Sequence, residues 1–289
     1  MSDSPTNSSS DHGLPRLDRG HRRARLLATR PEGLDSARLD LEVDGPWSHR
    51  AGQVAELALV PGEEGFFAIA SPPGDGRRLT FLVRAGGSIS APLMALRPGD
   101  ELFVRGPHGR GYELDSPARS APLLLVGVGS ALSALRSALL DTLGAGSRPI
   151  TLVLGVRTRD DLAFADELGF WRSRGVSVHL VESRATPGTM SDTGNSDPAS
   201  PACEMSADPG SALASIRPGH VQDHLGPIAS ALPGALVLLA GSESFEDEVT
   251  AILTAAGIEP TRIQRNFRND GREDGRNDDR STSQPGAQA

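Results

Sequence analysis

Between residues 25 and 111, apolar and polar positions alternate in short runs, the period of a strand with one face buried. Runs at 25–29, 37–43, 54–60, 66–70, 79–83 and 101–104 each predict a strand. Turn chemistry stands between them at Asp44-Gly45-Pro46, Pro61-Gly62, Pro72-Pro73-Gly74 and Pro98-Gly99-Asp100. Six short strands at this spacing predict a small antiparallel β-barrel, interrupted by one short helix over 89–96. From about residue 121 the pattern changes. Apolar runs opening at Leu123, Ile150, Val176 and Ala235 read as strands covered on both faces. Helical periods at 132–140, 163–174, 221–232 and 245–256 alternate with them, and a last strand is predicted at 262–264. Such alternation predicts a doubly wound parallel sheet.

The chain therefore reads as two domains: a six-stranded antiparallel barrel over 23–118, then an α/β domain over 119–267. That order places two ligand sites across one interdomain cleft. Residues 1–22 and 268–289 are polar and aperiodic and are expected to be disordered tails. Residues 184–217 are rich in Ser, Pro, Gly, Thr and Asp, and are expected to form a flexible insert. A hydrophobic content of 37% is low for a single packed globule and agrees with such segments.

Charge and cysteine usage narrow the function. The net charge is -8, with 37 acidic against 29 basic residues, which disfavours non-specific nucleic-acid binding. The basic cluster Arg16, Arg19, Arg22, Arg23 and Arg25 reads as a solvated charge run. Cys203 is the single cysteine, so these residues hold no intramolecular disulfide framework and no thiolate cluster for iron–sulfur chemistry. His179, His220 and His224 show no metal-ligand spacing, and no metal site is expected. No apolar run reaches the roughly 18 residues of a membrane span. The Ser-, Asp- and Pro-rich start lacks the apolar core of a secretory signal, so a cytoplasmic location is expected.

The most informative stretch is 123–132, where an apolar strand meets Gly127 and Gly129 and passes at once into a helical period. Free amides and the helix dipole at such a turn form an anion site suited to a nucleotide pyrophosphate. The third glycine of the dinucleotide fingerprint is absent, with Ala131 and Leu132 near its place. An ordinary strand–helix turn without a ligand is the alternative.

Several phrases, in order, resemble the ferredoxin–NADP reductase superfamily, in its branch of bacterial flavin/NAD(P)H oxidoreductases and electron-transfer subunits. They are Gly52-Gln53, Ile69-Ala70-Ser71-Pro72, Gly86-Gly87-Ser88-Ile89-Ser90, Leu96-Arg97-Pro98-Gly99-Asp100, Gly106-Pro107-His108-Gly109, the 124–130 loop, 155–161, 221–225 and 262–267. The resemblance implies FAD on the barrel and NAD(P)H on the α/β domain. It places Phe67 against the flavin ring, and gives Ala68, Ile69, Ala70 and Ser71 the flavin edge. Gly86, Gly87 and Ser88 would cradle its pyrophosphate. Gly127, Gly129 and Ser130 would receive the pyridine nucleotide, with Gly241 near the nicotinamide and Phe267 covering the flavin. Arg157, after the second parallel strand, tilts the reading toward NADP. No catalytic acid or base is expected, because hydride transfer needs none.

The sequence also departs from that pattern. Gly65 and Ala68 stand where the family has an arginine for phosphate and a serine near the flavin, and Ala240 stands where it has a cysteine. Arg84 is the candidate to replace the lost phosphate contact. Three functions stay open: a flavin-dependent oxidoreductase passing electrons to an unknown acceptor, a catalytically degenerate nucleotide-binding or regulatory module, and an electron-transfer subunit working beside a partner chain.

Overall fold

The computed structural model describes residues 20–60, 62–74, 76–114, 121–146, 148–184 and 216–266. Both expected tails beyond these bounds, Phe267 and the insert from 185 to 215 lie outside the described residues. The barrel comprises β1 (Arg22–Glu32), β2 (Ser36–Val43), β3 (Val54–Ala58), β4 (Glu64–Ala68), β5 (Arg78–Arg84) and β6 (Glu101–His108), with helix α1 (Ser90–Met94) before β6. All pairings are antiparallel in the order β4-β3-β6-β1-β2-β5. The ends meet just past β4, where Ile69 bridges Phe81 and the Ala70 amide donates to the Thr80 carbonyl at 2.8 Å. The alternation in β2 explains its orientation. Leu39, Leu41 and Val43 are fully buried inside, with Leu26, Leu57, Phe81 and Leu93.

The second domain comprises β7 (Leu123–Val128), α2 (Leu132–Ala145), β8 (Ile150–Val156), α3 (Leu168–Ser173), β9 (Ser177–Glu182), β10 (Ile216–Pro218), α4 (Val221–Ser230), β11 (Leu236–Ala240), α5 (Glu243–Ala255) and β12 (Ile263–Arg265). The sheet is parallel throughout, in the order β10-β9-β8-β7-β11-β12. Leu132, Leu135 and Leu139 of α2 and Trp171 of α3 cover one face. Val221 and Leu225 of α4 and Val249 and Leu253 of α5 cover the other. Apolar runs sandwiched this way are what a doubly wound sheet requires.

Three expectations are corrected. The first tail does not extend to residue 22, because Arg22 opens β1 and pairs with Val104 of β6. The segment 184–217 is not insert to its end: Ile216 and Arg217 belong to β10, paired in parallel with Leu180 and Val181. The helix expected over 163–174 shrinks to α3, preceded by a 3₁₀ turn over Ala165–Glu167. The cause is Phe164, whose φ of +54° stops a right-handed helix from starting there.

Phe164 also marks the seam between the domains. Its amide donates to Glu32 Oε2 of β1 at 2.6 Å. The guanidinium carbons of Arg38 (β2) and Arg136 (α2) each lie 4.6 Å from its ring centroid. Arg136 grips Glu167 through Nε and Nη2 at 2.8 and 2.7 Å, and donates from Nη1 to the Ala70 carbonyl at 2.7 Å. Arg38 bonds Glu32, Asp166 and Glu167. A non-glycine residue in the left-handed region costs about 1–3 kcal/mol and persists only where its surroundings over-determine it. Elsewhere on the seam, the Tyr112 hydroxyl donates to the Leu239 carbonyl at 2.9 Å, and the Glu113 amide to Gln264 Oε1 at 2.7 Å.

Candidate functional site

Strands β7 to β10 step outward on one side of β7, and β11 and β12 lie on the other. The topological switch point therefore falls between β7 and β11, where doubly wound sheets bind ligands beyond the carboxyl ends of their strands. A cleft of about 780 Å³ opens there, with the barrel as its opposite wall. This size is ordinary for a ligand site.

Seven of the residues singled out from sequence line it: Phe67, Ala68 and Arg84 on the barrel wall, and Gly129, Ser130, Arg157 and Gly241 on the α/β wall. Gly129 has φ +54° with nothing within 4 Å of where a Cβ would stand, so the backbone turns left-handed against open space. The 3₁₀ turn over Gly129–Ala131 and α2 after it receive no side-chain cap and carry no acid in the first turn. By contrast, α5 is capped by Ser242 Oγ and has Glu243 and Glu246 in its first turn, and the Asp223 carboxylate of α4 accepts the His220 amide at 2.7 Å. An uncapped terminus leaves donors for an external anion.

Other expected residues stand elsewhere. Gly127 is inside β7, where a Cβ would meet Leu135 Cδ1 at 2.6 Å, so it serves helix–strand packing behind the loop. Gly241 lines the cleft but also lets the Phe245 ring pack close, at 2.4 Å from its Cβ position. Ile69, Ala70 and Ser71 are buried behind the wall, which corrects the expectation that they face the ligand. The Ile69 amide bonds the Gln53 carbonyl and the Ala70 amide the Thr80 carbonyl. The Ala70 carbonyl takes Arg136, and that of Ser71 takes Ser137 Oγ at 2.7 Å. Gly86, Gly87 and Ser88 are exposed and do not line the cleft. At Gly65 a Cβ would meet Ile89 Cγ2 at 2.5 Å and the Phe67 ring at 2.9 Å. The space of the family's arginine is filled by the turn that follows β5.

Sequence reading missed several lining residues, among them Asp35, Phe66, Leu82, Gln222 and Asn266. The strand ends carried a signal for Ser242, which follows the carboxyl end of β11, and for Gly155, the last residue but one of β8. Gly219 follows β10, a strand that the sequence pattern did not announce. Asp35, in the β1–β2 turn, had none. It accepts Arg84 Nε at 3.0 Å and Arg157 Nη2 at 3.3 Å, and Arg157 also bonds Asp161 at 2.9 Å. Burial pulls the Asp35 carboxyl upward, but the hydrogen bond and charge of Arg84, with Ser36 and Arg157, hold it below its ordinary value of 3.8. Burial likewise raises Asp161, and Thr158 and Arg157 outweigh it. Both carboxyls are ionised at neutral pH. Arg84 is therefore an internally paired cation.

No family model matches the sequence. The chain is 37% identical over 153 residues to ferredoxin–NADP reductase B of Sorangium cellulosum, covering 50% of this chain and 62% of that one. It is 35% identical over 130 residues to DmpP, the reductase component of phenol 2-monooxygenase from a Pseudomonas species, covering 43% of this chain and 36% of that one. These matches thus span less than two thirds of the relatives' own lengths. Among solved structures, the flavohaem-like FAD/NAD-binding domain of nitric oxide dioxygenase from Vibrio cholerae superposes with a TM-score of 0.68 at 16% identity, over 86% of this chain and 98% of that one. Among the described residues, no helix is long and apolar enough to cross a membrane.

Proposed function

We propose that this chain is a member of the ferredoxin–NADP reductase superfamily and works as a flavin-dependent oxidoreductase, a reading its relatives and its fold support: FAD sits on the barrel wall, NAD(P)H on the α/β wall, and the electrons pass on to a protein acceptor. One observation carries the proposal. A single cleft sets an apolar barrel wall opposite an uncapped helix terminus at the sheet's switch point.

The residues present fit both groups. Val54, Phe66, Phe67, Ala68 and Leu82 offer a flat aromatic ring an apolar wall. Gly129, Ser130 and Ala131, the 3₁₀ turn that leads into α2, offer amide donors to a pyrophosphate. When bound, the two cofactors supply hydride transfer between nicotinamide and flavin and the onward release of electrons. The chain aligns the rings and excludes water, and no side chain has a proton to move for the hydride step. Arg157 is the candidate for a 2′-phosphate, which must compete with Asp35 for its guanidinium. That the relatives bear the names of reductase components and ferredoxin reductases supports a protein acceptor.

An absorbance spectrum of the purified chain, with FAD added and NAD(P)H then mixed in anaerobically, tests this. Bound flavin that bleaches is expected. Protein that takes up no FAD removes the proposal. A second reading, a nucleotide-binding module without turnover, is favoured by the filled space at Gly65 and the paired Arg84. It predicts bound nucleotide without bleaching.

A further inference from the structure

We propose that His21, Glu56 and Glu64 form a site for one divalent cation of the class that takes imidazole and carboxylate together, with Zn²⁺ the best fit. The site lies on the barrel and is independent of the redox reading. Three segments supply it: His21 immediately precedes β1, Glu56 is on β3 and Glu64 opens β4. One ligand atom from each lies within 4.8 Å of the others.

His21 is the observation that points to a ligand. Its side chain is 2% exposed. Neither of its ring nitrogens makes a hydrogen bond among the described residues. Its ring packs edge-on to Phe103 at 6.4 Å, and Nε2 points at Glu64 Oε1 from 3.3 Å, off the line that a hydrogen bond needs. A buried imidazole without a partner is costly to leave unmade. A separation of about 3.3 Å is the edge of a tetrahedron with metal–ligand bonds of about 2.0–2.1 Å. The pair is too poorly aligned for a hydrogen bond and correctly spaced for two ligands on one ion.

The carboxylates are held in place by their neighbours. Glu64 Oε1 accepts the Gly62 amide at 2.8 Å. Glu56, its side chain 4% exposed, takes Arg105 on Oε2 at 2.8 and 2.5 Å, while His108 Nε2 stands 2.9 Å from Oε1 without a hydrogen bond. A carboxylate has about four lone-pair directions, so Oε1 stays open to an ion. Metal-bound carboxylates are commonly oriented by such outer partners. Arg105 offsets one of the two negative charges, so the affinity expected is micromolar. Imidazole selects against Mg²⁺ and Ca²⁺, which prefer oxygen alone. Glu64 is 20% exposed and gives the ion its way in. The ligands are 35 and 8 residues apart along the chain, outside any short metal motif, and only the barrel's strand order β4-β3-β6-β1 gathers them.

The test is calorimetric titration of Zn²⁺ into the chelator-treated full chain. One equivalent at micromolar Kd is expected, with none for Mg²⁺ at the same concentration. Glu64→Gln, at a partly exposed position that keeps the Gly62 contact, weakens binding at least tenfold, and His21→Gln does the same or more. His179→Gln, distant in the fold, leaves it unchanged. Co²⁺ in place of Zn²⁺ gives the visible absorption of a four-coordinate site, lost in Glu64→Gln. Absence of saturable binding in the wild-type chain overturns the proposal. So does Zn²⁺ affinity undiminished in Glu64→Gln.

Discussion

The two walls of the cleft are built on opposite economies. The α/β wall leaves donors unspent: α2 starts without a cap, Gly129 turns toward empty space, and no acid crowds the first turn. The barrel wall has spent nearly everything. Its amides at Ile69 and Ala70 are bonded within the fold, Arg84 is tied to Asp35, and the place of an arginine at Gly65 is filled by Ile89. The difference teaches that one wall recognises an anion by charge and amides. The other recognises a ring by shape and apolar contact.

The comparison presupposes a fixed spacing between the walls, and the substitution with the largest effect breaks that. Arg136→Ala takes from half-buried Glu167 one of its two arginine partners, leaving Arg38, and frees the buried Ala70 carbonyl. Losing these charged hydrogen bonds costs about 3 kcal/mol. A thermal midpoint lower by roughly 10 °C is expected, and scanning calorimetry of wild type and variant checks it. Next, Gly129→Val forces a β-branched residue into the left-handed region at the open turn. NAD(P)H-dependent flavin reduction falls by about a hundredfold, equal to about 2.7 kcal/mol, while flavin content is unchanged; stopped-flow absorbance reads both. Unaltered reduction kinetics would move the nucleotide away from α2.

Smaller effects sharpen the contrast. Arg157→Ala weakens NADPH binding by roughly tenfold and leaves NADH within a factor of two, measured by fluorescence titration. Asp35→Asn acts in the opposite direction. It removes one of the two carboxylates that hold Arg157, leaving Asp161, and tightens NADPH by a factor of a few. The pH dependence follows from the lowered Asp35 carboxyl. Its ion pairs contribute fully above the unfolded value of about 3.9 and are lost only as pH falls through the lower folded value. Asp35 therefore adds no titration between pH 5 and 8, and the preference for NADPH over NADH changes there only with the second ionisation of the 2′-phosphate, at about pH 6; a titration series over that window tests it.

Local patterns made most of the fold legible. Alternation in 37–43 announced β2, and the apolar run into Gly127 and Gly129 announced β7, the turn and α2. What stayed hidden depends on partners far along the chain. Phe164 cuts a helical period short because Glu32, 132 residues earlier, holds its amide. Arg157 read as a pointer to NADP, and its partner Asp35 lies 122 residues away. The flavin edge assigned to Ile69, Ala70 and Ser71 matched a family phrase, but the phrase carries no information on which way a closing barrel strand faces. Sequence likewise marked Gly65 as a loss, whereas packing shows its vacancy already taken by Ile89.

Helix α2 has one more property. Its start faces the cleft, and one turn along, Arg136 and Ser137 are bolted to the carbonyls of Ala70 and Ser71, the continuation of the strand that presents Phe67 and Ala68. Receptor and ruler are the same rod. Anything seated at its tip lies at a set height above the opposite surface, and a slide of a few tenths of an ångström is transmitted undiminished. Trimming a side chain on its hidden flank, such as Leu139, would then detune the alignment of two rings that it never touches.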